Sequence, residues 1–165
     1  MNTAATENSG NQRKFFWEES KMQYIAGTRE FHIEETTAVT LGKFDGLHRG
    51  HRKLLEEVFR FREKGYAPAV FTFETAPGTL TRGTLQTMIT TNAERRDNLE
   101  QAGVDYLVEY PFNQEVAHLQ PEEFVEHILV GQMHAKAIVS GTDFHFGYQR
   151  RGDVKLLEKL SSCYG

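Results

Sequence analysis

Short apolar runs alternate with amphipathic stretches along most of the chain. Four of these runs are five or six residues long and are rich in β-branched, aromatic and small apolar residues. Runs of this kind, bounded by glycine or polar residues, are typical of buried strands. We predict strands over residues 37–41, 68–73, 105–109 and 136–140.

Four other stretches have the spacing and the end signals of helices. The first has apolar residues near helical spacing and ends at Gly65, and the second begins with Asn92 as its N-cap residue and stops at Gly103. The third opens with Pro121 followed by two acids, a common composition for a first helical turn. The predicted helices cover residues 49–64, 92–102, 121–130 and 154–160.

Strands that alternate with helices indicate an α/β domain, with a parallel sheet and helices on both of its faces. Right-handed crossovers make this a Rossmann-like, doubly wound sheet. Sheets of this kind bind ligands beyond the carboxyl ends of their strands. That rule selects three candidate binding segments, residues 42–51, 73–77 and 141–147.

Length and composition fit one domain of ordinary size. The 165 residues can bury a core without metals or disulfides, and the single cysteine excludes a disulfide framework and a cysteine-based zinc cluster. Residues 1–21 are mostly small and polar, so we predict a disordered or non-native N-terminal extension, with the folded domain spanning residues 22–165. Residues 74–91 carry proline and glycine among threonines and predict a long mobile loop.

Charge and hydropathy narrow the classes of partner. A net charge of −4 gives no general argument for nucleic-acid binding, and no apolar run approaches the roughly 20 residues that span a bilayer. The N-terminus lacks the apolar region of a signal peptide, so we expect a cytoplasmic protein with no nucleic-acid or membrane partner. Basic residues outnumber acids by six to three in residues 43–62, whereas acids outnumber basic residues by nine to two in residues 92–126.

The segment GKFDGLHRGH, from Gly42 to His51, lies between a predicted strand and a predicted helix. Its glycines allow tight turns and a close approach of the backbone to a ligand, and a helix N-terminus attracts anions. His48 and His51 are three residues apart, so both imidazoles can face one bound group and donate to phosphate oxygens. Two other interpretations are a pair of surface histidines and a metal site, for which no third ligand has suitable spacing.

Four separated segments resemble one family. The HxGH turn is shared by the nucleotidyltransferase superfamily, and the fuller string LGKFDGLHRGH is similar to the FMN adenylyltransferase (FAD synthetase) module of bacterial bifunctional riboflavin kinase/FAD synthetases. Residues 111–125 resemble the family's PF…A.L..EEFV stretch, residues 135–147 resemble A..IV.GxDFxFG, and residues 151–152 fit its RxG. The resemblance covers the chain from about residue 22 to residue 165.

The resemblance implies an enzyme that transfers AMP from ATP to FMN, giving FAD and pyrophosphate, with Mg²⁺ accompanying the ATP. It implies that His48 and His51 are catalytic because they donate to the α-phosphate, and it implies no metal-ligating residue. The implied flavin-binding residues are Phe73, Pro77 and Phe146. The implied ATP-binding residues are Gly42, Lys43, Phe44, Asp45, His48, Gly50, His51, Gly141, Asp143, Phe144 and Arg151.

Two of these assignments compete with a structural role. Asp45 is better suited to a structural role, in which it accepts hydrogen bonds from nearby N–H groups and fixes the turn, than to a substrate contact. Phe144 and Phe146 alternate around His145, so we expect one of the two rings in the core and the other beside the flavin or the adenine.

The chain also departs from the family pattern. The family's FxPHP reads FETAP over residues 73–77, which lacks the histidine, and His145 stands where arginine is common. The family's ISSTxIR triphosphate motif and its riboflavin kinase barrel follow the segment that ends at Gly165, so we expect an incomplete module with little FAD synthesis by itself and a fused riboflavin kinase domain in the full-length protein. The alternatives are another HxGH nucleotidyltransferase, or an inactive flavin- or nucleotide-binding fragment.

Overall fold

A single five-stranded sheet organises the molecule. The structure, a computed structural model, describes residues 21–74 and 88–164, so all but the last residue of the predicted N-terminal extension and most of the predicted loop, including Pro77, lie outside the described residues. All neighbouring strands run parallel, in the order β1-β4-β3-β2-β5. The strands are β1 (Gln23–Ala26), β2 (Thr37–Leu41), β3 (Ala67–Phe73), β4 (Tyr106–Tyr110) and β5 (Ala135–Val139).

Helices connect these strands and follow the last one. Helix α1 ends in a 3₁₀ turn (Phe61–Lys64), and Gly65 then takes a left-handed conformation that closes the helix. Helix α4 is one turn long and continues directly as a π-helix (Phe124–Gln132). The α-helices are α1 (Arg49–Arg60), α2 (Asn92–Ala102), α3 (Gln114–Ala117), α4 (Pro121–Glu123) and α5 (Val154–Tyr164).

The sheet is covered on both faces, which confirms the predicted doubly wound α/β architecture. Val70 and Leu107 belong to one core cluster together with apolar residues of α1 and α2. The next residues along the same strands, Phe71 and Val108, belong to a second cluster with α3 and the π-helix. This alternation follows from the two-residue period of a strand, which sends successive side chains to opposite faces.

The predicted strands and helices match the structure to within a few residues, with four differences. Edge strand β1 was not predicted, because its four residues are only half covered and give a weak apolar signal. Helix α3 was not predicted either, because its four residues are too few to show a helical period. The N-cap of α2 is Thr91, which forms a capping box with Glu94, so the prediction of Asn92 as the cap was wrong by one residue. The last helix extends to Tyr164.

Candidate active site

The strand order brings two of the predicted binding segments side by side. Thr40 of β2 pairs with Val70 of β3 on one side and with Val139 of β5 on the other. The chain moves from β2 to β3 through α1 and later returns to the opposite side of β2 to form β5, so a topological switch point lies between β2 and β5. Residues 42–51 and 141–147 leave the sheet at that point, where doubly wound folds bind their ligands.

The turn after β2 is shaped by glycines around a buried aromatic ring. Gly46 has a φ of 76°, and Phe44 has a φ of 50° although it is not a glycine. A Cβ atom on Gly42 would lie 3.2 Å from the Phe44 ring, so a larger residue there would press on that ring. Phe44 is only 1% exposed, and its ring packs in the core. The ring is therefore enclosed by protein, and the backbone is the part of Phe44 that remains for a ligand.

The two histidines of this turn lie next to each other at the start of α1. His48 is the exposed N-cap residue and His51 lies within the first turn, with 5.4 Å between the ring centroids. The ring of His51 also contacts that of Phe44, at 4.7 Å between centroids. His51 Nδ1 is 2.9 Å from the Gly46 carbonyl oxygen. Because a carbonyl oxygen can only accept, Nδ1 carries the proton of this hydrogen bond and Nε2 is left for a ligand.

The surroundings of the histidines favour an anion. The first turn of α1 contains no acidic residue, and it contains Arg49 and Arg52. Its unpaired N–H groups and the positive end of the helix dipole lie at the same place. This arrangement suits a phosphate group, which would receive hydrogen bonds from both rings and from the helix N-terminus.

Asp45 fastens the turn to the segment before α2. Its carboxylate accepts hydrogen bonds from the N–H groups of Ile89 and Thr90, at 2.8 and 2.7 Å, and from the Thr90 hydroxyl at 3.0 Å. Burial alone would raise the pKa of Asp45, but these hydrogen bonds and the nearby Arg95 guanidinium outweigh it and hold the pKa below its ordinary value. The carboxylate is thus engaged within the protein, which matches the structural role weighed for it above.

Arg95, in α2, also contacts the turn, and sequence reasoning missed it. Its Nη1 donates to the Lys43 carbonyl oxygen at 3.2 Å, and its Nη2 donates to Asn92 Oδ1 at 3.2 Å. The same Nη2 lies 3.3 Å from Glu109 of β4. The i, i+4 spacing from the buried Leu99 places Arg95 on the inner face of α2, and this was the signal available in the sequence.

The segment after β5 supplies the other wall of the switch point. The Phe144 N–H donates to the Gly141 carbonyl oxygen at 3.2 Å, which closes a tight turn around the exposed Asp143. A Cβ atom on Gly141 would lie 3.2 Å from Asp143 Oδ1. The Phe144 ring is half-buried, so part of it remains available to a ligand.

Phe146, by contrast, belongs to the core. It is 7% exposed, packs against Phe124, and forms an isolated antiparallel bridge with Gly152. Its ring is therefore mostly surrounded by protein, and the assignment of Phe146 to the flavin site stays a prediction. Arg151, next to that bridge, is exposed and lies over the Tyr148 ring at 5.3 Å.

Phe73 ends β3, on the other side of β2 from β5. Its half-buried ring contacts Phe112 edge-to-face at 4.9 Å, so an aromatic pair marks this end of the sheet. Glu74 follows and accepts a hydrogen bond from the Gly27 N–H at 2.6 Å, which fastens the end of β3 to the end of β1. Pro77 lies outside the described residues.

A separate groove of about 690 Å³ lies away from these residues, beside α3 and the π-helix. Its charged lining is mostly acidic and would repel phosphates: Arg29, Glu30, Glu115, Glu123, Glu126 and His127. Within residues 21–74 and 88–164, no group of three or more His, Cys, Asp or Glu side chains could hold a metal ion. No helix in this part of the chain is both long and apolar enough to cross a membrane.

The chain has relatives that cover most of its length. It is 33% identical over 146 residues to the "Bifunctional riboflavin kinase/FMN adenylyltransferase" of Buchnera aphidicola subsp. Acyrthosiphon pisum, a match that covers 87% of this chain and 47% of the relative. It is 35% identical over 134 residues to the protein of that name from Escherichia coli K12, covering 80% of this chain and 43% of the relative. The chain thus spans slightly less than half the length of these curated relatives.

A solved structure and a family model agree with these relatives. The structure, titled as a macrolide-efflux protein of Streptococcus pneumoniae, superposes with a TM-score of 0.74 at 28% identity, covering 84% of this chain and 46% of that one. The model of the FAD synthetase family matches residues 30–165, which include both walls of the switch point. The chain therefore belongs to the FAD synthetase family.

Proposed function

We propose that this chain is an FMN adenylyltransferase, which transfers AMP from ATP to FMN and releases FAD and pyrophosphate. The observation that carries the proposal is the pair of adjacent imidazoles, 5.4 Å apart at the positive N-terminus of α1 and at the switch point of the sheet. The curated relatives are named for the same activity, which supports the choice of FMN as the acceptor.

The reaction needs positioning and charge stabilisation more than covalent participation of the protein. A phosphate oxygen of FMN attacks the α-phosphorus of ATP and forms the new P–O bond, while the bond from that phosphorus to the bridging oxygen breaks. The electron pair leaves with pyrophosphate. His48 and His51 donate hydrogen bonds to the α-phosphate, where charge develops in the transition state. Since Nδ1 of His51 is bonded to the Gly46 carbonyl, His51 donates to substrate from Nε2 as an imidazolium.

The nucleotide lies, in this proposal, across the switch point. The backbone of the turn and the first turn of α1 hold the phosphates, while the half-buried Phe144 ring and the turn at Gly141 receive the nucleoside. Asp45 acts on the nucleotide indirectly, by holding the turn. The residues proposed to contact ATP are Gly42, Lys43, Phe44 through its backbone, His48, Gly50, His51, Gly141, Asp143, Phe144 and Arg151.

FMN approaches from the β3 side, where Phe73 ends its strand and Pro77 follows outside the described residues. Mg²⁺ enters as part of the Mg·ATP substrate, held by phosphate oxygens and water. The described side chains offer no cluster that would hold the ion by themselves, so no step is assigned to it. The names of the relatives pair this activity with a riboflavin kinase, and we propose that such a domain supplies the FMN in the full-length, cytoplasmic protein.

The test measures FAD formation by liquid chromatography after the full-length protein, with its proposed riboflavin kinase domain, is incubated with FMN and Mg·ATP. We expect FAD and an equal amount of pyrophosphate, both lost on His48→Ala or His51→Ala while the fold is kept. A panel that contains nicotinamide mononucleotide, phosphopantetheine and a cytidylyl acceptor with CTP separates this activity from other HxGH transferases. Pyrophosphate release with one of those acceptors and not with FMN would overturn the assignment.

A second candidate is a nucleotide-binding module without turnover. The sequence FETAP over residues 73–77, which lacks the histidine of the family's FxPHP, favours it. Calorimetry with Mg·ATP and with FMN distinguishes the two, since this candidate predicts binding of either ligand without any FAD.

A further inference from the structure

A buried arginine holds the peptide group at the centre of the phosphate turn. Arg95 is 2% exposed, and its Nη1 donates to the Lys43 carbonyl oxygen at 3.2 Å. Lys43 immediately precedes Phe44, the residue with a left-handed φ of 50° and a buried ring. The guanidinium therefore contacts the turn one residue before its most constrained position.

Because the peptide bond is planar, this contact also fixes the direction in which the Phe44 N–H points. In a trans peptide the carbonyl and the following N–H point in opposite directions. Because the Lys43 carbonyl points into the protein toward Arg95, the Phe44 N–H points away from Arg95, on the outer side of the turn. Within residues 21–74 and 88–164, this N–H donates no hydrogen bond to another backbone group. A ligand bound on the outer side of the turn could therefore accept a hydrogen bond from the Phe44 N–H.

The arginine is held by a network that is costly to bury. Glu109 is 1% exposed and faces Arg95 at 3.3 Å, and its other oxygen accepts a hydrogen bond from the Tyr24 hydroxyl at 2.8 Å. Neither Arg95 Nε nor Glu109 Oε1 has a hydrogen bond. Buried ion pairs can often be replaced by apolar pairs without loss of stability. The network is thus better explained by the orientation that it imposes on the guanidinium than by stability.

We propose that Arg95 is a positioning residue for nucleotide binding: it fixes the Lys43–Phe44 peptide so that the Phe44 N–H donates to a phosphate of ATP. This inference rests on the proposed function, since it takes ATP to be the ligand. Arg95 itself does not touch the nucleotide, and its effect is confined to the phosphate end of the ligand.

The test compares the affinities of the whole chain for Mg·ATP and for adenosine, which has no phosphates. Loss of one hydrogen bond to a charged group should weaken Mg·ATP binding by about 10- to 100-fold in Arg95→Gln. The affinity for adenosine should stay unchanged. With ¹⁵N-labelled phenylalanine, the Phe44 amide signal should shift on addition of Mg·ATP in the wild type and not in the variant. Arg96→Gln is the matched control, because Arg96 stacks on Tyr24 instead of contacting the turn.

A second variant covers the case in which Arg95→Gln does not fold. Arg95→Met combined with Glu109→Leu replaces the ion pair by an apolar pair and should show the same selective loss of Mg·ATP affinity. If either folded variant keeps the wild-type ratio of Mg·ATP to adenosine affinity, or loses both affinities equally, the inference is overturned and the proposed function stands. If the wild type binds neither ligand, the proposed function fails and the inference fails with it.

Discussion

Replacement of His51 tests the assignment of the histidine pair most directly, because the structure gives its ring two separable roles. Nδ1 is bonded to the Gly46 carbonyl within the turn, and Nε2 is left for the substrate. The amide nitrogen of asparagine can take the place of Nδ1, whereas that of glutamine reaches the place of Nε2. His51→Asn should therefore keep the turn and lose the substrate contact, and His51→Gln should do the reverse.

The expected magnitudes follow from the contacts of the ring. His51→Ala loses one partly buried hydrogen bond, worth about 0.5–1.5 kcal/mol, and the ring contact with Phe44, worth about 0.5–1.5 kcal/mol. The free energy of unfolding should fall by about 1–3 kcal/mol. Loss of a donor that acts on the transition state should lower kcat by about 10²- to 10³-fold, with little change in the affinity for Mg·ATP.

Three measurements on the variants check this reasoning. FAD formation gives kcat, calorimetry gives the Mg·ATP affinity, and urea denaturation gives the free energy of unfolding. We expect His51→Gln to retain more activity than His51→Asn, and His51→Asn to be the more stable of the two. If His51→Ala kept full kcat, the transition-state role of the ring would be refuted. If asparagine were as destabilising as alanine, the role of Nδ1 would be refuted instead.

Three further substitutions test the turn and its surroundings. Because the pKa of Asp45 is lowered in the folded chain, the stabilisation by its carboxylate is complete above about pH 4 and is lost as the pH falls through the lowered value. In urea titrations below about pH 4, the difference in unfolding free energy between wild type and Asp45→Asn should therefore narrow. A constant difference would contradict this. Gly147→Ala places a Cβ atom 2.7 Å from Pro121 at a φ of 75°, so the free energy of unfolding in urea should fall by about 2–5 kcal/mol. Gly65→Ala, which has open space at a similar φ, should lose only about 1–2 kcal/mol, and equal losses would exclude the contact as the cause. Gly50→Ala meets no atom within 4 Å and should raise helix stability by up to about 1 kcal/mol while it weakens Mg·ATP binding in calorimetry, and unchanged affinity would argue against a ligand close to Gly50.

The sequence predicted the sheet well where strands are buried on both faces. All five residues of β2 are buried, and its predicted bounds agree with the structure. The signal failed at β1, where Tyr24 lies at the sheet edge and is 37% exposed. Local patterns also gave the α1 cap at Gly65, because a left-handed glycine ends a helix whatever surrounds it.

For the candidate site, the sequence identified the turn but could not show which side chains point into the core and which face a ligand. The rings of Phe44 and Phe146, two predicted ligand-binding residues, are buried in the core, which the sequence could not show because elements distant along the chain cover them. Arg95 was not selected from the sequence, because no local signal reports that Glu109 and the Lys43 carbonyl lie opposite it. Residue types thus predicted the chemistry, whereas the sheet order decided which atoms face the ligand.

The position of β2 between β3 and β5 has a consequence for how the domain folds. Thr40 pairs with Val70, 30 residues later, but also with Val139, 99 residues later. Closing the longer loop costs more chain entropy, so we expect β5 to join the sheet after β2 and β3 have paired. The crevice between β2 and β5, which is the proposed nucleotide site, would then form only at a late step of folding. A bound nucleotide would add its binding free energy to that step and would stabilise the finished sheet without favouring any earlier intermediate.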